Sequence, residues 1–168
     1  MERKLTEVES KILEALKVVI KENFEVTKRP MWTKLVFDAL KTLGDLQNHV
    51  TYCHTLKDIN QNEWLFDLIW SKEGKSWHEF KGLSLACELE WSDTNEDVLT
   101  DFQKLTIVVA DVRLMIINNW DEYSDKYFEG KFELCYNASQ QISNKFNYLL
   151  IGLPVKHPEN VVFKAWNA

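Results

Sequence analysis

Leu83-Ser84-Leu85-Ala86-Cys87-Glu88-Leu89-Glu90-Trp91 reads as a strand, Ser92-Asp93-Thr94-Asn95 as helix-capping chemistry, and Val112-Arg113-Leu114-Met115-Ile116-Ile117 as a buried strand. Between them Val98, Leu99, Phe102, Leu105, Val108 and Val109 recur at helical spacing, which predicts a helix from about residue 95 to 109. Strand, helix and strand in succession call for a crossover connection, and a crossover puts a helix on the face of a partly parallel sheet. The class is therefore α/β.

Upstream, Val50 to Leu56 and Glu63 to Trp70 read as neighbouring strands separated by a polar turn at Asp58 to Asn62, with a further turn at Ser71 to Lys75. Two amphipathic helices precede them. The first carries Leu5, Val8, Ile12, Leu16, Val19 and Ile20, and the second follows Pro30 with Trp32, Leu35, Val36, Ala39, Leu40 and Leu43 up to Gly44. Downstream, a polar helix over 121–142, with an interruption expected at Gly130, is followed by strands at 148–153 and 161–166. The expected order is ααβββαβαββ in one domain spanning 1–168: helices in 1–45, a βββαβ core in 50–117, and a helix with two strands in 121–168. The expected architecture is a mixed central sheet flanked by helices.

The chain has 168 residues, 45% of them hydrophobic, and 20 basic against 26 acidic side chains give a net charge of −6. A chain of this length buries a core without needing disulfides or a metal to fold. Its acidic balance argues against coating nucleic acid by bulk charge, though not against a local basic cleft. Charged residues at Glu2, Arg3, Lys4 and Glu7 stand where a signal peptide would be apolar, and no run reaches the roughly 18 apolar residues of a membrane span. A soluble cytoplasmic protein without membrane contact is expected. Cys53, Cys87 and Cys135 read as reduced thiols, and neither they nor His49, His54, His78 and His157 show zinc spacing. Most of the seven tryptophans, Trp32, Trp64 and Trp70 among them, are better read as core than as base-stacking platforms, and Lys72, Lys75 and Lys81 as a solvated turn.

The informative conflict is acidic residues inside apolar strands. Asp67 sits among Trp64, Leu65, Phe66, Leu68 and Ile69, where a carboxylate is costly to bury alone. Glu88 and Glu90, two apart in a strand, leave it on the same face. If these strands are neighbours, their carboxylates can converge on a divalent ion, and oxygen ligands favour Mg²⁺ or Mn²⁺ over Zn²⁺. The plainer account puts Glu88 and Glu90 on a solvated face and gives Asp67 backbone hydrogen bonds. In the following helix, Asp101 and Lys104 share a face, and Lys104 can approach the end of the third strand.

This arrangement, an aspartate in one strand, an acidic-x-acidic element in the next and a helix bearing Asp101-Phe102-Gln103-Lys104-Leu105, resembles the restriction-endonuclease-like PD-(D/E)XK phosphodiesterases over about residues 31 to 118. The resemblance implies a restriction-endonuclease-like core and a Mg²⁺- or Mn²⁺-dependent nuclease acting on nucleic acid. It implies that Asp67, Glu88 and the main-chain carbonyl of Leu89 are metal ligands, and that Glu90 or Lys104 handles the attacking water. Glu90 occupies the place usually held by lysine, Lys104 stands where that lysine has migrated in some members, and Phe66 replaces the motif's leading proline. Asp38, Glu14 and Glu9 are equivalent candidates for an extra helical carboxylate. A catalytically silent interaction module of the same fold is the alternative, ahead of an unrelated α/β binding domain, and a homodimer or a protein partner is left open.

Overall fold

The computed structural model describes residues 2–23, 28–53, 65–73, 80–119, 125–142, 146–154 and 157–168. The expected turn at Asp58 to Asn62, the strand ends at 54–56 and 63–64, and Trp64 lie outside the described residues.

Helix α1, Glu7–Glu22, opens on a capping box in which Thr6 accepts from the Glu9 N–H while the Glu9 carboxylate accepts from the Thr6 N–H. Helix α2, Arg29–Leu46, carries Pro30 in its first turn, where the missing N–H costs nothing. Then come β1 Val50–Cys53, β2 Leu68–Glu73, β3 Phe80–Glu90, α3 Asn95–Ile107, β4 Ala110–Asn118, α4 Asp125–Ser139, β5 Asn147–Leu153, a 3₁₀ turn at Pro158–Asn160, and β6 Val162–Asn167. The strands form one mixed sheet in sequential order β1-β2-β3-β4-β5-β6. The β3–β4 and β4–β5 pairs, bridged by α3 and α4, are parallel, and the other three pairs are antiparallel. The expected α/β class and element order are found.

Boundaries differ where polar residues are buried. Ser71, read as a turn, is 1% exposed inside β2, which pairs with β3 through register shifts around that serine. Lys72 continues the strand and pairs with Asp111. At its other end β2 begins only at Leu68, so Asp67 precedes the strand instead of lying within it. Helix α3 stops at Ile107, and Arg113 explains how the chain turns back: its buried guanidinium donates to the carbonyls of Val108 and Ala110 and lies 3.4 Å from the centre of the Phe146 ring. Gly130 lies within a continuous α4.

Alternation along each strand sorts side chains onto two faces. Leu85, Cys87, Leu89, Leu114, Ile116, Leu149 and Ile151 pack under α1 and α2 with Ile12, Leu16 and Leu40. On the other face Ala86, Met115, Ile117, Tyr148, Leu150 and Trp166 pack under α3 and α4 with Val98, Phe102 and Phe128. Trp32 and Trp70 are core residues, and Cys53, Cys87 and Cys135 are buried and form no disulfide. Among the described residues no helix is long and apolar enough to cross a membrane.

Candidate functional site

Glu88 leaves β3 on the face covered by α3 and α4, in the same alternation as Ala86. It is 0% exposed. Its Oε2 lies 3.3 Å from Lys104 Nζ, while its buried Oε1 finds no hydrogen-bond partner among the described residues. Lys104 reaches it because α3 begins immediately after β3, set by the Thr94 hydroxyl accepting from the Asp97 N–H at 3.1 Å. One turn along the helix, Asp101 Oδ1 holds Lys104 Nζ at 2.7 Å. The shorter contact identifies Asp101 as the ion-pair partner of Lys104.

Just ahead of β2, Asp67 Oδ2 accepts the Leu89 N–H at 2.9 Å, continuing the β2–β3 ladder beyond its last strand pair, Leu68 with Cys87. A strand residue's N–H and C=O leave on the same side, so the Leu89 carbonyl also faces the Asp67 side. Glu90 is half-buried. Its Oε1 accepts the Ser92 N–H at 2.5 Å, and its carboxyl shares a hydrogen bond with Asp101.

The electrostatics follow from this packing. Burial and then the charge of Asp67 push the Glu88 carboxyl up to about 9, and Lys104 only partly offsets them. At neutral pH Glu88 is thus a protonated acid, which fits its long contact to Lys104. Burial also raises Glu90; the Ser92 N–H works against the rise and Asp101 adds to it. Burial disfavours the Lys104 ammonium, but Asp101 and Glu88 hold it above the ordinary lysine value. Burial drives the Cys87 thiol well above its ordinary range, so this neighbour is no nucleophile.

Asp67, the Leu89 backbone, Glu88, Glu90 and Lys104 are therefore brought to one end of β3. Half of the plainer sequence account holds, since Asp67 does accept a backbone N–H; the other half fails, since Glu88 is sealed from solvent. The three helical acids sit elsewhere, each with its own cation: Glu9 with Arg3, Glu14 with Lys17 and Asp38 with Lys34. No three His, Cys, Asp or Glu side chains among the described residues are grouped so as to share one metal ion.

Sequence reasoning missed the scaffold around the loop between β3 and α3. Asn118, at the end of β4, donates to the Trp91 carbonyl at 2.6 Å and accepts from the Tyr127 hydroxyl at 2.8 Å. Lys131, 3% exposed, donates to the Asp93 carbonyl at 2.5 Å and to Asn95 Oδ1 at 2.8 Å. The signal was the polar pair Asn118-Asn119 closing an apolar parallel strand, because ligand sites in α/β sheets collect at the carboxyl ends of strands. Lys131 gave no signal in its polar helix. In comparisons with family models, curated proteins and solved structures, nothing matches this chain.

Proposed function

We propose that this protein is a metal-dependent phosphodiester hydrolase acting on nucleic acid. The observation that carries the reading is Glu88: a fully buried carboxyl with an unpartnered oxygen, beside Asp67 and within reach of a helical lysine. The run α2-β1-β2-β3-α3-β4 also follows the order implied by the resemblance to PD-(D/E)XK enzymes.

The donors suit Mg²⁺ or Mn²⁺. Asp67, Glu88 and the Leu89 carbonyl are hard oxygen ligands, and Mg²⁺ is commonly held by one or two carboxylates while keeping several waters. A cation would satisfy Glu88 Oε1 and replace the proton that burial and Asp67 keep on that side chain. When bound, such an ion polarises a phosphoryl oxygen and lowers the pKa of a coordinated water. Lys104, steadied by Asp101, offers a fixed positive donor for developing charge. Glu90, hydrogen-bonded to Asp101, can hold or release a proton beside it.

The test is cleavage of labelled single- and double-stranded DNA and RNA with Mg²⁺ and with Mn²⁺. Glu88→Gln, which keeps the shape of the buried acid, is expected to abolish cleavage, and Lys104→Ala to slow it by about 10²–10³. Calorimetric titration should show metal uptake by the wild type and none by Asp67→Ala. Wild-type cleavage equal to that of Glu88→Gln would remove the enzyme reading. One observation favours a catalytically silent interaction module instead: the Lys104 ammonium, paired with Asp101 at 2.7 Å and 3.3 Å from Glu88, already places a cation in the cluster. In that case neither metal uptake nor cleavage is expected.

A further inference from the structure

Lys131, on α4, stands where the fold gains little from a charge. It is 3% exposed, and its ammonium lies at the amino end of α3, the positive end of that helix's dipole. Burial holds it below the ordinary lysine value, while Asp93, Cys135 and Asp97 pull the other way. An apolar side chain of similar length would fill the same volume without desolvating a charge. What the ammonium supplies instead is a tether. Nζ donates to the Asp93 carbonyl at 2.5 Å and to Asn95 Oδ1 at 2.8 Å, and both acceptors belong to exposed residues of the turn into α3.

That turn meets the carboxylate cluster at two points. The Ser92 N–H donates to Glu90 Oε1 at 2.5 Å, and the Ser92 hydroxyl donates to Asp97 Oδ2 at 2.6 Å, so Glu90 is tied through Ser92 to the first turn of α3. Further along the same helix stand Asp101 and Lys104. The β3 side of the turn has its own anchors: Trp91 gives its carbonyl to Asn118 and its indole N–H to Thr33 on α2, at 2.8 Å. Lys131 holds the other side, Asp93 and Asn95, and its ammonium lies 5.2 Å from the ring of Tyr127, one turn back on α4.

We infer that Lys131 is a positioning residue for this site, tethering the turn between β3 and α3 so that Glu90 keeps its Ser92 N–H and Lys104 keeps its place beside Glu88. Its value for catalysis rests on the hydrolase reading above; the tether itself does not. Lys131 touches neither the carboxylates nor Lys104 and acts through the turn alone. Released from Nζ, the Asp93 carbonyl and the Asn95 side chain can turn to water, so the fold keeps its core while the start of α3 loosens.

The experiment is amide hydrogen exchange in EDTA, read by NMR on the full chain, so that neither metal nor cleavage enters. In Lys131→Met the Ser92 amide is expected to exchange at least about tenfold faster than in the wild type, the equivalent of one lost hydrogen bond to a charged group. The Ile116 amide, inside the sheet, should keep its wild-type rate. Asn95→Asp, which retains an acceptor for Nζ, should keep Ser92 protected. Asn95→Ala changes only an exposed side chain and is expected to speed Ser92 exchange in the same direction; it decides the matter if Lys131→Met does not fold. Ser92 rates equal to wild type in these two loosening variants, or Ile116 accelerating in step with Ser92, would overturn the proposal, the second because Lys131 would then serve the fold at large. In the cleavage assay Lys131→Met should lower kcat by up to about 10²-fold, the cost of roughly 1 Å of misplacement, with KM little changed. A loosened Ser92 without wild-type cleavage would keep the tether and remove the hydrolase; wild-type cleavage with an unmoved Ser92 would do the reverse.

Discussion

Glu9 at the start of α1 and Glu88 near the end of β3 are both 0% exposed, yet they are buried in opposite ways. Glu9 accepts two hydrogen bonds from the Arg3 guanidinium, at 2.7 and 2.5 Å, and a third from the Thr6 N–H at 2.8 Å. Burial works against its charge, but Arg3 and Thr6 outweigh burial and hold the carboxyl below its ordinary value. Glu88 has one long contact to a lysine already committed to Asp101, and an oxygen with no partner among the described residues. A buried acid whose two oxygens both have partners fastens a helix to the edge of a sheet. One left half-satisfied is stabilised only by a proton or by a cation, and that is the property a metal-ligand carboxylate needs.

The contrast is broken most forcefully at Arg3. Arg3→Met leaves the Glu9 carboxylate buried without its cation and is expected to cost about 3–5 kcal/mol at pH 7 by urea denaturation. A loss below about 1 kcal/mol would show that Glu9 does not depend on the pair. On the other side of the comparison, Mg²⁺ at one hundred times its Kd should stabilise the wild type by about 2.7 kcal/mol at pH 8, read as a rise in Tm. Neither Asp67→Ala nor Glu88→Gln should respond, and an equal rise in either would place the ion elsewhere.

The two acids also give opposite pH slopes. The raised pKa of Glu88 means that the folded chain keeps this proton up to about 9 while the unfolded chain releases it near 4.5. Its stabilising effect is present below 4.5 and is lost as pH rises, by about 1.4 kcal/mol per pH unit inside that window. Glu9, lowered in the fold, stabilises above 4.5 and loses that effect as pH falls through its folded value. Stability measured against pH should therefore fall on the alkaline side in the wild type and flatten in Glu88→Gln; an unchanged slope in the variant would deny Glu88 its bound proton. The smallest effect belongs to Lys34 and Asp38, an exposed i,i+4 pair. Lys34→Ala should change stability by about 0.5 kcal/mol or less in the same denaturation experiment, since solvent screens such pairs. A larger change would mean that solvent exposure does not separate this pair from Arg3 and Glu9.

Much of the fold was legible because it depends on local periodicity. The helical spacing of Ile12, Leu16, Val19 and Ile20 and the apolar run from Val112 to Ile117 each appear as the element expected. Ser71 was not legible, because a buried serine in a strand and an exposed serine in a turn are the same letter; only pairing with β3 sets it apart. For the same reason Asp67 looked like a strand residue when it ends the ladder from outside. Glu9 looked no different from Glu14 or Asp38, since a helix pattern does not disclose that Arg3 folds back onto it.

By itself the sequence determined the α/β class, the order of helices and strands, and the set of acidic residues in apolar surroundings that had to be accounted for. Those are properties of neighbours along the chain: side-chain period, capping residues and the cost of burying a charge. The tertiary structure alone decided which acids meet. Glu88 and Lys104 are joined only because β3 pairs with both β2 and β4 while α3 crosses between β3 and β4 on the face that Glu88 occupies. That depends on strand register, and a shift of one residue would have carried Glu88 to the aliphatic face under α1 and α2.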